Sequence, residues 1–404
     1  MEALAWFVVV LLMINRRGEA SSPSSVAVEA MFVFGDSLSD PGNNNDLVTL
    51  SKGNYLPHGI DFPGGATGRF CNGLIGPDHL GNLLGLGLIP AFQNPNTQGS
   101  NILNGVNYAS SAAGIFNESL AILGERWTFD QQIEQFATKT LPELKSQALR
   151  SKEGSKDLTL DEFLGNSLFY SNIGSNDLIN YIVANYKYPD LSAYIDLAMT
   201  QHRRQLMELH QLGGRKFLIF GLAPIGCLPI AILLFNKNAT ADCAEQLNQI
   251  TLRWNAKLTE LVQQLNHDLE GAYFLYFDVY NAFLRVTNNP SRYGFKQVHV
   301  ACCGAGLLNS EFLCLTPKAP VCLNRSEYVF WDSFHATEAM YGVLIRQGFY
   351  GTLQDTYPKN VQQLFQPKCR EASLSSSGGA EAMFVFGDSL SDPGNNNALM
   401  MGYG

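Results

Sequence analysis

Ser37 stands in the triplet Gly35-Asp36-Ser37, directly after the apolar run Met31–Phe34. A serine at the end of a buried strand can be presented to a cleft, although most serines after strands are turn or cap residues. Its hydroxyl becomes a nucleophile when a base takes its proton and an acid orients that base. Of the seven histidines, His58, His79, His202, His210, His267, His299 and His335, only His335 has an acidic residue three positions earlier, Asp332 in "WDSFH". That spacing lets one turn of backbone bring the carboxylate to the imidazole and fix its tautomer. It equally fits a capping aspartate beside an unrelated histidine. Acyl transfer also requires N–H donors where negative charge develops. Asn176 in "IGSND" is a candidate side-chain donor, and Gly114 in "NYASSAAGI" is a candidate backbone donor. Each, taken alone, also reads as an ordinary turn residue.

These residues need a scaffold, and the chain supplies its pattern. "MFVF" at 31–34, "SLFYSNIG" at 167–174, "KFLIFGLAPIG" at 216–226 and "AYFLYFDV" at 272–279 are short apolar runs closed by Gly, Pro, Asp or Asn. Such runs suit strands buried on both faces of a parallel sheet. Between them, residues from about Leu191 to Leu212 and from Glu245 to Leu269 are predicted helices. In the second, Leu247, Ile250, Trp254, Leu258, Leu261 and Leu265 repeat at the spacing of one helix face. Strands alternating with helices predict an α/β fold whose parallel sheet is covered on both sides. Working residues then sit on loops at the carboxyl ends of the strands, where "GDS" and "IGSND" fall.

The motifs "FVFGDSLSDPGNNN", "DFPGGATGRFCNG", "NGVNYASSAAGI", "SNIGSNDLINYI", "PIGCLP", "NNPSRYGF", "ACCGAG" and "YVFWDSFHATE" occur in that order. Together they resemble the plant GDSL esterase/lipases of the SGNH hydrolase superfamily, over about residues 31–370. The resemblance implies a flavodoxin-like three-layer α/β/α sandwich with a central parallel sheet. It implies a carboxylic ester hydrolase in which Ser37 is the nucleophile, His335 the general base and Asp332 its orienting acid. The implied oxyanion hole uses the Ser37 N–H, the Asn176 side chain and a backbone N–H of the 110–115 loop, assigned to Gly114 although Ala112 and Ala113 lie beside it. No cofactor or metal is implied. Two positions depart from the family pattern: Ala336 where Pro is common, and Leu178 where Tyr is common. They bear on substrate preference. An acyltransferase using the same site, and a silent binding protein on the same fold, are the alternative readings.

Composition bounds the rest. The 404 residues are 46% hydrophobic and 16% charged with a formal charge of −9, which suits a large globular core and excludes the basic footprint of a nucleic-acid binder. Residues 1–20 contain the apolar run Ala3–Ile14, too short to span a bilayer, with small residues at Gly18 and Ala20. They read as a secretory signal, followed by a linker over 21–30. Eight cysteines, none in a C-x-x-C pair, favour disulfides, with their connectivity open. Sequons at Asn117, Asn238 and Asn324 agree with export to the cell exterior. The expected partner is a small or polymeric ester, with no nucleic acid and no stable membrane insertion. Residues 371–404 read as a Ser/Gly-rich tail that repeats the seventeen residues 29–45 at 381–397. That copy supplies Ser389 without a second "GSND" or "DSFH", so the tail is expected to carry no second site.

Overall fold

The computed structural model describes residues 28–150, 158–183, 190–236 and 242–366. The leader, most of the linker, the repeat tail with Ser389, and Asn238 and Cys369 lie outside the described residues. Strands β1 (Met31–Gly35), β2 (Gly105–Asn107), β3 (Leu168–Asn172), β4 (Lys216–Phe220) and β5 (Tyr273–Phe277) are mutually parallel. A short β8 (Thr356–Tyr357) adds antiparallel to β5. The order across the sheet is β2-β1-β3-β4-β5-β8. A separate parallel pair joins β6 (Gln297–Ala301) to β7 (Tyr328–Phe330).

The alternation of side chains along the strands creates two cores. Phe32, Phe34, Phe169, Phe217 and Phe274 enter one cluster with Trp254, Leu258, Leu261 and Leu265. Met31, Val33, Leu168, Tyr170, Leu218, Leu275 and Phe277 enter the other, with Leu80, Phe283, Met340 and Leu344. The central strands are therefore apolar over most of their length, with polar residues only near their ends, because both faces are covered; the described chain is a three-layer α/β/α sandwich. A fully buried Phe or Leu contributes roughly 1.5–3 kcal/mol of transfer free energy. Phe32, Phe169, Phe217 and Phe274, on adjacent strands, pair ring to ring, ending in Phe217 on Phe274 with centroids 4.3 Å apart.

The four apolar runs form β1, β3, β4 and β5, and the two periodic stretches form helices Leu191–Gln211 and Glu245–Asp268. The order 2-1-3-4-5 is that of flavodoxin-like sheets. The chain leaves β1 to one side for β2 and later returns on the other side as β3. The crevice of such a sheet opens at this switch point, beyond the carboxyl ends of β1 and β3. Gly35 ends β1 there: a Cβ on it would lie 2.6 Å from the carbonyl oxygen of Asn172, so only glycine lets the two strand ends approach.

Candidate active site

Ser37 follows β1 in a tight turn closed by the Ser39 N–H on the Asp36 carbonyl. The strand end is pinned by Gln132, whose side-chain amide accepts from the Gly35 N–H and donates to the Gly35 carbonyl, both at 2.9 Å. Asp332 and His335 lie in a turn between β7 and helix Glu338–Tyr350. The Trp331 N–H donates to the His335 carbonyl at 2.8 Å and closes that turn. Thr337 caps the helix, accepting from the Met340 N–H at 3.3 Å.

The turn delivers His335 to Ser37 across 298 residues of sequence. His335 Nε2 lies 2.9 Å from Ser37 Oγ, and Nδ1 lies 2.9 Å from each oxygen of Asp332. Asp332 Oδ1 also accepts the N–H groups of Phe334 and His335, both at 2.8 Å. Burial opposes the charge on Asp332, but the facing His335, the nearby His58 and the Phe334 N–H together hold its carboxyl below the usual range. A serine joined in this way to an imidazole and a buried carboxylate can lose its proton to Nε2 as Oγ attacks an electrophile.

Asn176 opens the helix after β3 and is almost buried, with its Nδ2 donating to the Ala113 carbonyl at 2.8 Å. Gly114 sits in the facing loop, packed so that an added Cβ would meet Ser119 and Asp177. The left-handed residue of that loop is Ala112, with φ 68°. Of the six N–H groups from Ser111 to Phe116, four are engaged. Asp40 takes that of Ser111, Asp177 takes those of Ile115 and Phe116, and the Ser110 carbonyl takes that of Ala113. Among the described residues, the N–H groups of Ala112 and Gly114 remain without a partner, as does that of Ser37.

The GDSL-like lipase/acylhydrolase family model matches residues 31–347. The chain belongs to this family. GDSL esterase/lipase At5g08460 of Arabidopsis thaliana is 41% identical over 372 residues, covering 89% of this chain and 92% of that protein. GDSL esterase/lipase 7 of the same plant is 39% identical over 340 residues, covering 83% and 91%. The GDSL chain is accordingly a carboxylic ester hydrolase.

In this GDSL hydrolase the polar letters of its first motif fold inward. Asp36, Ser39, Asp40, Asn43 and Asn44 are all buried. Burial pushes the carboxyls of Asp36, Asp40 and Asp177 up to about 6, against the N–H and hydroxyl donors that surround them. Asn43 Nδ2 donates to the carbonyls of Asn107 and Ala109, and Asn107 Nδ2 donates to that of Ser39. These groups knit the serine loop to β2 and the 110–115 loop. Sequence reasoning did not assign them, although charged and amide side chains packed into an otherwise apolar motif are the signal of such a role. It also did not single out Phe70, whose ring covers His335 at 5.0 Å.

Asn117 and Asn324 are exposed, as sequons require, and Asn324 edges an open groove of about 540 Å³ that does not include Ser37. Three disulfides form: Cys227–Cys243, Cys302–Cys322 and Cys303–Cys314. Cys71 is buried and unpaired among the described residues. Among those residues no helix is long and apolar enough to cross a membrane, and no group of three His, Cys, Asp or Glu side chains is arranged to hold a metal ion.

Proposed function

We propose that this hydrolase cleaves acyl or lipid-like esters through an acyl-enzyme on Ser37. His335 Nε2 takes the Ser37 proton as Oγ attacks the acyl carbon, and the carbonyl electrons move onto its oxygen. When they return, the ester C–O bond breaks, and the departing alkoxide takes the proton from His335 and leaves as the alcohol. Water repeats the sequence, giving its proton to His335 and releasing the carboxylic acid with Ser37 restored. Asp332 keeps the Nδ1 proton directed at itself and stabilises the imidazolium. The oxyanion is received by the Ser37 N–H, the Asn176 amide and one of the two unengaged loop N–H groups, Gly114 or Ala112. Each such donor is worth about 3–4 kcal/mol of barrier.

The observation that carries this reading is the unbroken run of 2.9 Å contacts from Ser37 through His335 to Asp332. Ser37→Ala removes only the nucleophilic oxygen, so the variant is expected to fold and to lose hydrolysis of a short-chain p-nitrophenyl ester. Hydrolysis at the wild-type rate would contradict the reading. Three disulfides and the exposed sequons support an extracellular, glycosylated enzyme, because disulfides persist in oxidising compartments. Mass spectrometry of the exported protein tests this: a mature N-terminus near residue 20 is expected, and retention of Met1 would contradict it.

A further inference from the structure

We propose that His58 is a positioning residue for this hydrolase, fixing the turn that carries Asp332 and His335 through the Trp331 indole. The inference rests on the Ser37 mechanism proposed above. Trp331 Nε1 donates to His58 Nδ1 at 3.0 Å. Both side chains are buried, at 0% exposure for Trp331 and 2% for His58. Because Nδ1 accepts, Nε2 carries the proton, and the nearby backbone carbonyl of Cys314 favours a proton on the ring. Cys314 is held by its disulfide to Cys303. His58 thus lies between a cross-linked loop and the residue immediately before Asp332.

Trp331 is itself the first residue of the closed turn, since its N–H donates to the His335 carbonyl. Anchoring the indole therefore anchors the turn at its start. On its other side the His58 ring meets the Phe70 ring, with centroids 5.8 Å apart, and Phe70 lies 5.0 Å from the His335 imidazole with the planes 32° apart. Phe70 is held by its neighbour Arg69, which makes a buried two-pronged ion pair with Asp78. One imidazole accordingly contacts both supports of the Asp332–His335 pair, the turn beneath and the ring above.

The role requires a neutral His58, because a proton on Nδ1 would face the indole N–H. Burial drives its pKa down to about 4, against the pull of the Asp332 carboxylate, so the acceptor persists through the neutral range. A histidine that merely filled space could be replaced by another ring. Here replacement by Phe leaves the buried indole N–H unpaired, and the indole must tilt to find water. A displacement of about 1 Å at the reacting groups costs up to a hundredfold in rate.

The full-length protein is assayed on a p-nitrophenyl ester. His58→Phe removes the acceptor and Trp331→Phe removes the donor while keeping a ring. Each is expected to lower kcat about tenfold with KM unchanged. The double variant should lose no more than either single one, because both remove the same bond. His58→Asn offers an acceptor oxygen near the place of Nδ1 and should restore most of kcat. If the folded His58→Phe and Trp331→Phe variants keep kcat within twofold of wild type, the proposal is overturned. Where His58→Phe does not fold, Trp331→Phe decides alone. A wild-type protein unaltered by Ser37→Ala would overturn the hydrolytic mechanism instead, so the two failures are distinguishable.

Discussion

Asp332→Asn keeps the shape of the side chain and the closure of its turn, yet should nearly abolish turnover. The reason lies in how the two carboxylate oxygens are used. Both oxygens lie 2.9 Å from His335 Nδ1, but Oδ1 also accepts two backbone N–H groups, from Phe334 and His335, while Oδ2 faces Nδ1 alone. An asparagine will place its single carbonyl oxygen at the Oδ1 site, where two donors await it. Its NH2 group then sits at the Oδ2 site, opposite Nδ1. The carbonyl oxygen, though also 2.9 Å from Nδ1, is already taken by two backbone donors, and the NH2 group opposes a proton on Nδ1, so the imidazole is expected to carry its proton on Nε2 instead. That proton points at Ser37 Oγ, and the base can no longer accept. Loss of the correct tautomer in this constellation costs roughly 10⁴ in kcat, equivalent to about 5–6 kcal/mol of barrier. Because both backbone donors remain satisfied, KM and the thermal midpoint should change little. Steady-state hydrolysis of a p-nitrophenyl ester, with a melting curve alongside, measures both. A folded variant that retains more than a tenth of wild-type kcat would refute this reasoning.

Two further outcomes concern stability. Folding raises the Asp36 carboxyl to about 6 from an ordinary 3.8. Between about pH 4 and pH 6 the unfolded chain sheds this proton while the folded one keeps it, so the group lowers stability by roughly 3 kcal/mol as pH rises through that window. Asp36→Asn can still accept the Leu38 N–H and donate to the Ser175 hydroxyl, and should therefore gain on wild type in denaturant midpoint from pH 4 to pH 7; identical pH dependence would contradict the assignment. Replacing Cys227 and Cys243 together by Ala opens a link spanning 16 residues and should cost about 3 kcal/mol, read as a lower midpoint under non-reducing conditions. An unchanged midpoint would show that this link does not constrain the chain.

The sheet centre was legible because β1, β3, β4 and β5 are buried on both faces, so their apolar runs are continuous. The strands that escaped notice lack that signature. β2 is three residues, Gly105–Asn107, inside a polar motif, and β8 is two residues pairing antiparallel at the edge. The β6–β7 pair is half-buried along β6, and its register breaks between Gln297 and Ala301. Local spacing pointed to the Asp332–His335 pair, since three residues make one turn. It could not bring Ser37 to His335, which only the assembled sheet does. The same limit hid the bond between His58 and Trp331, 273 residues apart, and the clamp of Gln132 on Gly35, 97 residues apart. The loop donor stayed open for another reason. A glycine invites assignment as the donor, yet the left-handed backbone in that loop belongs to Ala112.

The central claim is that Ser37 is activated by His335. The most direct test is to label the full-length protein with a fluorophosphonate, which reacts with activated serines, and to map the modified peptide by mass spectrometry. Label is expected on Ser37 in the wild type and not on Ser389, and is expected to be lost in His335→Ala. Absence of label from Ser37 in folded wild-type protein, or equal labelling of the His335→Ala variant, would contradict that claim.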